Sequence, residues 1–232
     1  MSNTLHHKVG LTVLRAEHMG MCFGVRDAIA LAERVTQSRP LTVLGELVHN
    51  PVVLDDLRGR GVRFENQPGE VETETVMITA HGASEQVRDR ARENGLELRD
   101  ATCPLVNFAH KQIQELAMEG YHLVVIGREG HVEVRGLTED LSQCDVVLCE
   151  DEIDALSPQP RFGVVAQTTQ PIVRVLELVE YLKTRFPDAD VRFVDTVCQP
   201  TKQRQSAAEE LAKQSDVVLV VGGANSNNTP EL

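Results

Sequence analysis

The stretch "TCPLVNFAHKQIQELAMEGYHLVVIG", residues 102–127, contains one complete structural unit of this chain. Cys103 opens a helical stretch, and Pro104 follows it at the position where a first helical turn tolerates proline. The run "HLVVIG" (122–127) then ends in glycine and is typical of a strand buried on both faces of a parallel sheet. The order of cysteine, helix, buried strand and glycine therefore predicts an α/β unit.

The same alternation continues along the whole chain. Helical spacing appears in "GVRDAIALAERV" (24–35) and "PIVRVLELVEYLKTRF" (171–186). The other runs predicted as strands are "LTVLGE" (41–46), "VMITAH" (76–81), "DVVLCE" (145–150), "FGVVAQ" (162–167) and "DVVLVVG" (216–222). Strands that alternate with helices predict an α/β fold with mostly parallel sheets.

The unit at Cys103 has two counterparts, at Cys22 and Cys198. Each cysteine opens a helical stretch and is followed after 23 or 24 residues by a strand-ending glycine. Self-similarity at a fixed period indicates repeated structural units, so we predict three α/β lobes around a pseudo-threefold axis. The predicted bounds are 1–20 for an N-terminal extension, 21–102 and 103–197 for two lobes, and 198–232 for an incomplete third lobe.

The composition is that of an ordinary globular protein with an acidic surface. The chain has 232 residues, of which 41% are hydrophobic and 25% charged, and its net charge is −12. This charge argues against nucleic acid or an anionic membrane as a partner, and no apolar run approaches the ~20 residues that span a bilayer. The first residues lack a long apolar signal core, which indicates a cytoplasmic protein.

Three cysteines at equal repeat phase predict a metal centre. Related units would bring Cys22, Cys103 and Cys198 together at helix N-termini, where we expect a lowered thiol pKa. Three thiolates suit an iron–sulfur cluster with one iron left open for substrate. Buried structural cysteines and zinc on mixed ligands are the alternatives. Cys144 and Cys149 lie out of phase and are interpreted as core or strand-end residues.

Polar side chains beyond the strand ends predict an anion-binding wall. His49, His131 and Ser226 each lie four residues after the glycine of their unit. Imidazole, hydroxyl and amide groups together with helix N-termini suit phosphate or diphosphate without a lysine cluster. The alternative is that these are hydrogen-bonded turn residues. The complete predicted wall is His49, His81, His131, Thr168, Ser226 and Asn228.

Glu133 differs from its counterparts in the other units, which are Pro51 and Asn228. A carboxylate beside anion-binding groups opposes binding. With a pKa raised by burial and by phosphate charge, however, it can donate a proton. We therefore predict that Glu133 is a proton donor, and the alternative is a solvated loop residue.

Eight motifs together resemble the 4-hydroxy-3-methylbut-2-enyl diphosphate reductase family from about Met21 to the end of the chain. They are "MCFGVRDAI", "GELVHNP", "TAHGAS", "DATCP", "GHVEVRG", "AQTT", "DTVCQPTKQRQ" and "GGANSNNT". The resemblance implies the last step of the non-mevalonate isoprenoid pathway. In that step an allylic hydroxyl is removed as water with two electrons and protons, giving isopentenyl and dimethylallyl diphosphates. It also implies a [4Fe–4S] cluster and a ferredoxin or flavodoxin as electron donor.

The resemblance further implies roles for single residues. Cys22, Cys103 and Cys198 match the cluster ligands, Glu133 matches the proton relay, and Thr168 matches a threonine near the substrate hydroxyl. The residues matching the diphosphate site are His49, His81, His131, Ser226 and Asn228, with Asn227 as a polar replacement for serine, and His131 is also placed among the catalytic residues.

The resemblance leaves one further departure, besides the replacement at Asn227, and two competing functions. The family continues beyond the position of Leu232, so we expect a truncated sequence, an incomplete third lobe and a less well placed Cys198. One competing function is another three-cysteine [4Fe–4S] enzyme of quinolinate-synthase type. The other is a non-catalytic module that binds phosphate or senses redox state through zinc or cysteine oxidation.

Overall fold

The computed structural model describes residues 5–8, 11–223, 226, 228 and 229. Its strands are β1 Leu5–Lys8, β2 Leu11–Val13, β3 Leu41–Leu44, β4 Val62–Glu65, β5 Thr75–Ile78, β6 Glu97–Asp100, β7 His122–Ile126, β8 Cys144–Val147, β9 Arg161–Ala166 and β10 Asp190–Phe193. Its helices are α1 Phe23–Thr36, α2 Pro51–Gly59, α3 Glu85–Glu93, α4 Pro104–Met118, α5 Val132–Thr138, α6 Glu150–Asp154, α7 Ile172–Arg185 and α8 Gln199–Lys213. None of these described helices is both long and apolar enough to cross a bilayer.

The strands form two parallel four-stranded sheets and one antiparallel pair, β1–β2. The strand orders are β4-β3-β5-β6 in the first sheet and β10-β9-β7-β8 in the second. We refer to β3–β6 with α1–α3 as the first unit, and to β7–β10 with α4–α7 as the second unit. The first strand of each unit, β3 or β7, lies inside its sheet between two later strands. The predicted α/β fold with mostly parallel sheets is confirmed.

The core explains why β7 is an uninterrupted apolar run. Successive side chains of a strand point to opposite faces of the sheet. Leu123 and Val125 therefore pack in the cluster under α4 and α5, whereas Val124 and Ile126 pack in the cluster under α6 and α7. Each such side chain contributes about 1.5–3 kcal/mol when fully buried, which explains why positions 123–126 of this central strand are all apolar.

The prediction of a strand at 216–222 is wrong. The residues in this run have no strand conformation, and Val217, Leu219 and Val221 are 74%, 83% and 94% exposed. The equivalent strands β3 and β7 pair with strands that come later in the chain. No strand among the described residues lies beside 216–222, so its backbone groups lack the ladder partners that a strand requires.

Candidate functional site

Three helices begin directly after the phased cysteines. Cys22, Cys103 and Cys198 are the N-cap residues of α1, α4 and α8, so the prediction that each opens a helix is confirmed. The Cys22 thiol interacts electrostatically with both of the others. A Cβ added at Gly24 would lie 2.6 Å from Cys103 Sγ, so only glycine lets α1 approach this thiol so closely. The fold thus brings the three cysteines to one region.

The pKa values of two of the thiols, Cys103 and Cys198, shift in the direction opposite to the predicted one. Burial raises the pKa of Cys103 and of Cys198. Hydrogen bonds from backbone N–H groups lower the pKa of both thiols. The Thr201 hydroxyl, 3.1 Å from Cys198 Sγ, lowers the pKa of Cys198 further. The effect of burial is larger than these hydrogen bonds in both cases. The predicted lowering of the thiol pKa at a helix N-terminus is therefore wrong for these two cysteines, because the loss of hydration exceeds the attraction of the helix end.

The donor set does not favour a single metal ion. Within the described part of the chain, no three histidine, cysteine, aspartate or glutamate side chains are grouped so that they could hold a metal ion. A tetrahedral zinc site requires such convergence. A polynuclear iron–sulfur cluster distributes its thiolate ligands over several metal atoms, so separate but interacting thiols fit it better.

Three histidines from the two units form a compact cluster. The ring centroids of His49 and His81 lie 4.7 Å apart, and those of His49 and His131 lie 5.6 Å apart. His81 and His131 are separated by 5.9 Å. His131 Nδ1 accepts a hydrogen bond from the Glu133 amide at 3.2 Å, so the neutral ring carries its proton on Nε2. The ends of β3, β5 and β7 thus supply imidazoles to one place.

His81 and His131 are held in their neutral form. Burial lowers the pKa of His81 to about 3, with further repulsion from His49 and His131. Burial also lowers the pKa of His131 to about 4, helped by His49 and Arg128. His49 Nε2 is buried without a hydrogen-bond partner among the described residues. Since buried polar nitrogens are normally satisfied, this cluster presents unused hydrogen-bonding capacity to a ligand.

Glu133 is a buried carboxyl group beside this cluster. It is 1% exposed, and burial raises its pKa to about 7, so the interpretation as a solvated loop residue is wrong. The Thr168 amide donates to Oε1 at 2.6 Å, and the Thr168 hydroxyl donates to Oε2 at 3.0 Å. The Cys198 amide donates to the Thr168 carbonyl at 2.9 Å. Thr168 therefore joins the carboxyl group to the start of α8.

The polar loop after residue 222 meets the site from the side of α8. A Cβ added at Gly223 would lie 2.3 Å from the His49 carbonyl oxygen. The Thr201 hydroxyl, next to Cys198, donates to Asn228 Oδ1 at 3.5 Å. Ser226 donates its amide to the Gly223 carbonyl at 3.1 Å, and Asn227 lies outside the described residues.

Gln167 is a fully buried residue of the site region that the sequence reasoning did not select. Its Oε1 accepts from the Arg128 amide at 3.0 Å and from Gln170 Nε2 at 3.2 Å. A Cβ added at Gly127 would lie 2.9 Å from Gln167 Cβ. Gln167 therefore holds the loop that leads into α5. The sequence did contain a signal for this residue, because the amide side chain of Gln167 directly follows the buried run of β9.

Comparison with known proteins assigns the chain to a family. A family model described as LytB protein matches residues 13–232. The chain belongs to the LytB family. A relative named 4-hydroxy-3-methylbut-2-enyl diphosphate reductase from Acinetobacter baumannii is 38% identical, and the match covers 96% of this chain and 73% of that protein. The resemblance drawn from the motifs is confirmed, and the alternative of a quinolinate-synthase type is not.

Solved structures of LytB proteins share the fold. The E-1-hydroxy-2-methyl-but-2-enyl-4-diphosphate reductase from Plasmodium falciparum matches with a TM-score of 0.85 at 32% identity, over 91% of this chain and 69% of that one. A second structure matches with a TM-score of 0.74 at 35% identity. It is of an (E)-4-hydroxy-3-methyl-but-2-enyl diphosphate reductase described as the terminal enzyme of the non-mevalonate pathway. That match covers 93% of this chain and 78% of the other.

Proposed function

We propose that this chain is a reductase that converts (E)-4-hydroxy-3-methylbut-2-enyl diphosphate into isopentenyl and dimethylallyl diphosphates. The reaction consumes two electrons and two protons and releases the allylic hydroxyl as water. The observation that carries this proposal is the buried Glu133–Thr168 pair beside three histidines and close to three interacting thiols. The names of the LytB relatives support the same reaction.

The diphosphate would bind to the histidine cluster. Neutral imidazoles donate one N–H each, and His131 must donate through Nε2 because its Nδ1 accepts from a backbone amide. A bound anion would raise the pKa of His81 and of His131, which strengthens their hydrogen bonds as the rings gain positive charge. The proposed ligands are His49, His81 and His131, with Ser226, Asn227 and Asn228 added from the polar loop.

Cys22, Cys103 and Cys198 would hold a [4Fe–4S] cluster. When bound, such a cluster supplies electrons and one iron that has no protein ligand. The three helix N-termini place partial positive charge behind the thiolates. Because burial raises the pKa of Cys103 and Cys198, metal binding must displace their protons and is expected to weaken as the pH falls.

Glu133 would supply a proton to the departing hydroxyl through Thr168. With a pKa of about 7, the carboxyl group is protonated in a substantial fraction of molecules at neutral pH. Proton transfer is most effective when the donor pKa lies near the working pH. The Thr168 hydroxyl donates to Oε2 at 3.0 Å when the carboxyl group is ionised. When Oε2 is protonated, this hydrogen bond would reverse, so that Oε2–H donates to Thr168 Oγ1 and the threonine hydroxyl gives its own proton to the substrate oxygen.

A low-potential protein, a ferredoxin or flavodoxin, would deliver the electrons, and the cytoplasm would be the site of the reaction. The non-catalytic redox sensor is less well supported. Sensor cysteines are exposed thiols of low pKa, whereas burial raises the pKa of Cys103 and Cys198.

Anaerobic purification of the chain tests this proposal. We expect a brown protein that contains iron and sulfide and that releases water and the two isoprenoid diphosphates when it receives electrons. Triple replacement of Cys22, Cys103 and Cys198 by serine should abolish iron and sulfide incorporation. Replacement of the out-of-phase Cys149 by serine is the matched control and should leave both unchanged. A wild-type protein without iron and sulfide after anaerobic reconstitution would contradict the proposal.

A further inference from the structure

A carboxylate of the second unit caps a helix of the first unit. Asp140 Oδ2 accepts a hydrogen bond from the Glu85 amide at 2.6 Å, and Asp140 Oδ1 accepts from the Gln86 amide at 3.1 Å. These amides belong to the first turn of α3, where backbone N–H groups lack partners within the helix and carry partial positive charge. The charge of Asp140 therefore binds the two units together.

The neighbouring residue adds two more hydrogen bonds between the units. Glu139 Oε2 accepts from the Ser84 hydroxyl at 2.6 Å, and the Glu139 carbonyl accepts from Gln86 Nε2 at 2.6 Å. Ser84 is 1% exposed and also caps α3, because its hydroxyl accepts from the Val87 amide at 3.2 Å. We refer to Glu139 and Asp140 with their partners Ser84, Glu85 and Gln86 as the clamp.

Residues of α4 and α5 pack beside the loop that precedes α3. A Cβ added at Gly136, in α5, would lie 3.5 Å from Ala83 Cα and 3.6 Å from His110 Cε1. Gly82 has a φ of +77°, and a Cβ there would lie 3.1 Å from His110 Nε2. The His110 ring of α4 thus fills the space between the loop before α3 and the helix α5.

The clamp lies at one end of the elements that carry the candidate site. His81 directly precedes Gly82, and His131 and Glu133 begin α5, which ends at the clamp. Helix α5 spans seven residues, about two turns, so one short hydrogen-bonded backbone segment joins the clamp to His131 and Glu133. A displacement at its C-terminal end would therefore be carried to His131 and Glu133.

We infer that Asp140 is a positioning residue that, through the clamp, sets the spacing between His81 and His131 for one shared ligand. The identity of that ligand as a diphosphate rests on the proposed function. The role of the clamp does not, because its effect on the two histidine rings can be measured in the protein without ligand. Asp140 acts through α5 and α3 and is not assigned any contact with the substrate.

The inference is tested in the full chain with Asp140→Ala and Asp140→Asn. Asparagine keeps one acceptor oxygen but loses the charge, so it serves as the milder variant if alanine prevents folding. Glu70→Ala is the matched control. Glu70 Oε2 also accepts two backbone N–H groups, of Asn66 at 3.3 Å and Gln67 at 3.2 Å, but all three residues lie in the first unit.

The deciding measurement is the NMR titration of the histidine rings without ligand. Loosening the clamp should admit water, so Asp140→Ala should raise the pKa of both His81 and His131 toward ordinary values, with a smaller rise in Asp140→Asn. Glu70→Ala should leave both titrations unchanged. If the folded Asp140 variants titrate like the wild type, or if Glu70→Ala shifts the rings equally, the inference is overturned.

Calorimetric titration with inorganic diphosphate measures the consequence for binding. We expect Asp140→Ala to weaken binding by about tenfold or more, because small displacements of binding groups are costly, and Glu70→Ala to change it by less than about twofold. If the wild-type chain does not bind diphosphate, the proposed ligand is wrong. The histidine titrations then still decide whether the clamp sets the spacing.

Discussion

Two corners of the molecule occupy equivalent positions in the two units but begin their helices differently. In the first unit, β3 leads through His49 to α2, and in the second unit, β7 leads through His131 to α5. In the first corner Asn50 is the N-cap residue and accepts from the Val52 amide at 3.1 Å. In the second corner His131 is itself the N-cap residue and accepts from the Glu133 amide at 3.2 Å.

The difference is a shift of one residue in the start of the helix. His49 precedes the cap of α2, whereas His131 forms the cap of α5. The second helical position is therefore Val52 in the first corner and Glu133 in the second. Val52 is 78% exposed and Glu133 is 1% exposed. A repeat that places one histidine at each corner thus gains a buried carboxyl group at a single corner.

The largest expected effect comes from removing that carboxyl group. Glu133→Gln keeps the shape of the side chain but cannot donate a carboxyl proton, so turnover should fall by about 10²–10⁴-fold. Iron content and binding of inorganic diphosphate should stay near the wild-type values. Val52→Ala, at the equivalent helical position of α2, is the matched control and should retain full turnover. Near-normal turnover of Glu133→Gln would remove the proton-donor role.

The next effect is on stability as a function of pH. The folded-state pKa of Glu133 is about 7, above the ordinary value of 4.5, so its contribution to stability is full below pH 4.5 and is lost as the pH rises through 7. Glu133→Gln removes this dependence. The free energy of unfolding of the variant, relative to that of the wild type, should therefore rise by about 3 kcal/mol between pH 5 and pH 8.

Urea unfolding at pH 5, 6.5 and 8 measures this difference. Val52→Ala should follow the pH dependence of the wild type at every point. The contribution of His81 to stability has the opposite pH dependence. Because its pKa is lowered in the folded state, this contribution is full above pH 6.5 and is lost on acidification. Both proteins in the comparison contain His81, so the difference isolates Glu133. Parallel curves for wild type and Glu133→Gln would show that the carboxyl group is not buried as described.

The two corners could be predicted from the repeat in the sequence, because local sequence signals determine their strands and helix starts. The buried central strand β7 appears as an apolar run, and cysteine with nearby proline marks the starts of α4 and α8. The strands β4, β6 and β10 lie at sheet edges, and their sequences "VRFE", "ELRD" and "DVRF" carry no such signal. The run at 216–222 has the signal but lacks partner strands among the described residues.

Other features of the site depend on three-dimensional environment and could not be derived from the repeat. The direction of the Cys103 and Cys198 pKa shifts follows from burial, which competes with the helix N-terminus. The bonds of Asp140 join residues 54 or 55 positions apart without any periodic signal. Position in the repeat therefore predicts which side chains meet, whereas their protonation depends on how the units pack.

The smallest effect tests the double role of His131 directly. His131→Ala removes a helix cap and a proposed diphosphate ligand, so it should destabilise the protein by about 1 kcal/mol and weaken diphosphate binding. His131→Asn restores a good cap residue, and its stability should return to near the wild-type value while binding stays weak. At the first corner, where Asn50 is the cap, His49→Ala should weaken binding without losing a cap. Urea unfolding measures the capping role, and calorimetry with inorganic diphosphate measures the binding role. Equal stability losses for the alanine and asparagine variants of His131 would show that its capping hydrogen bond contributes nothing to stability.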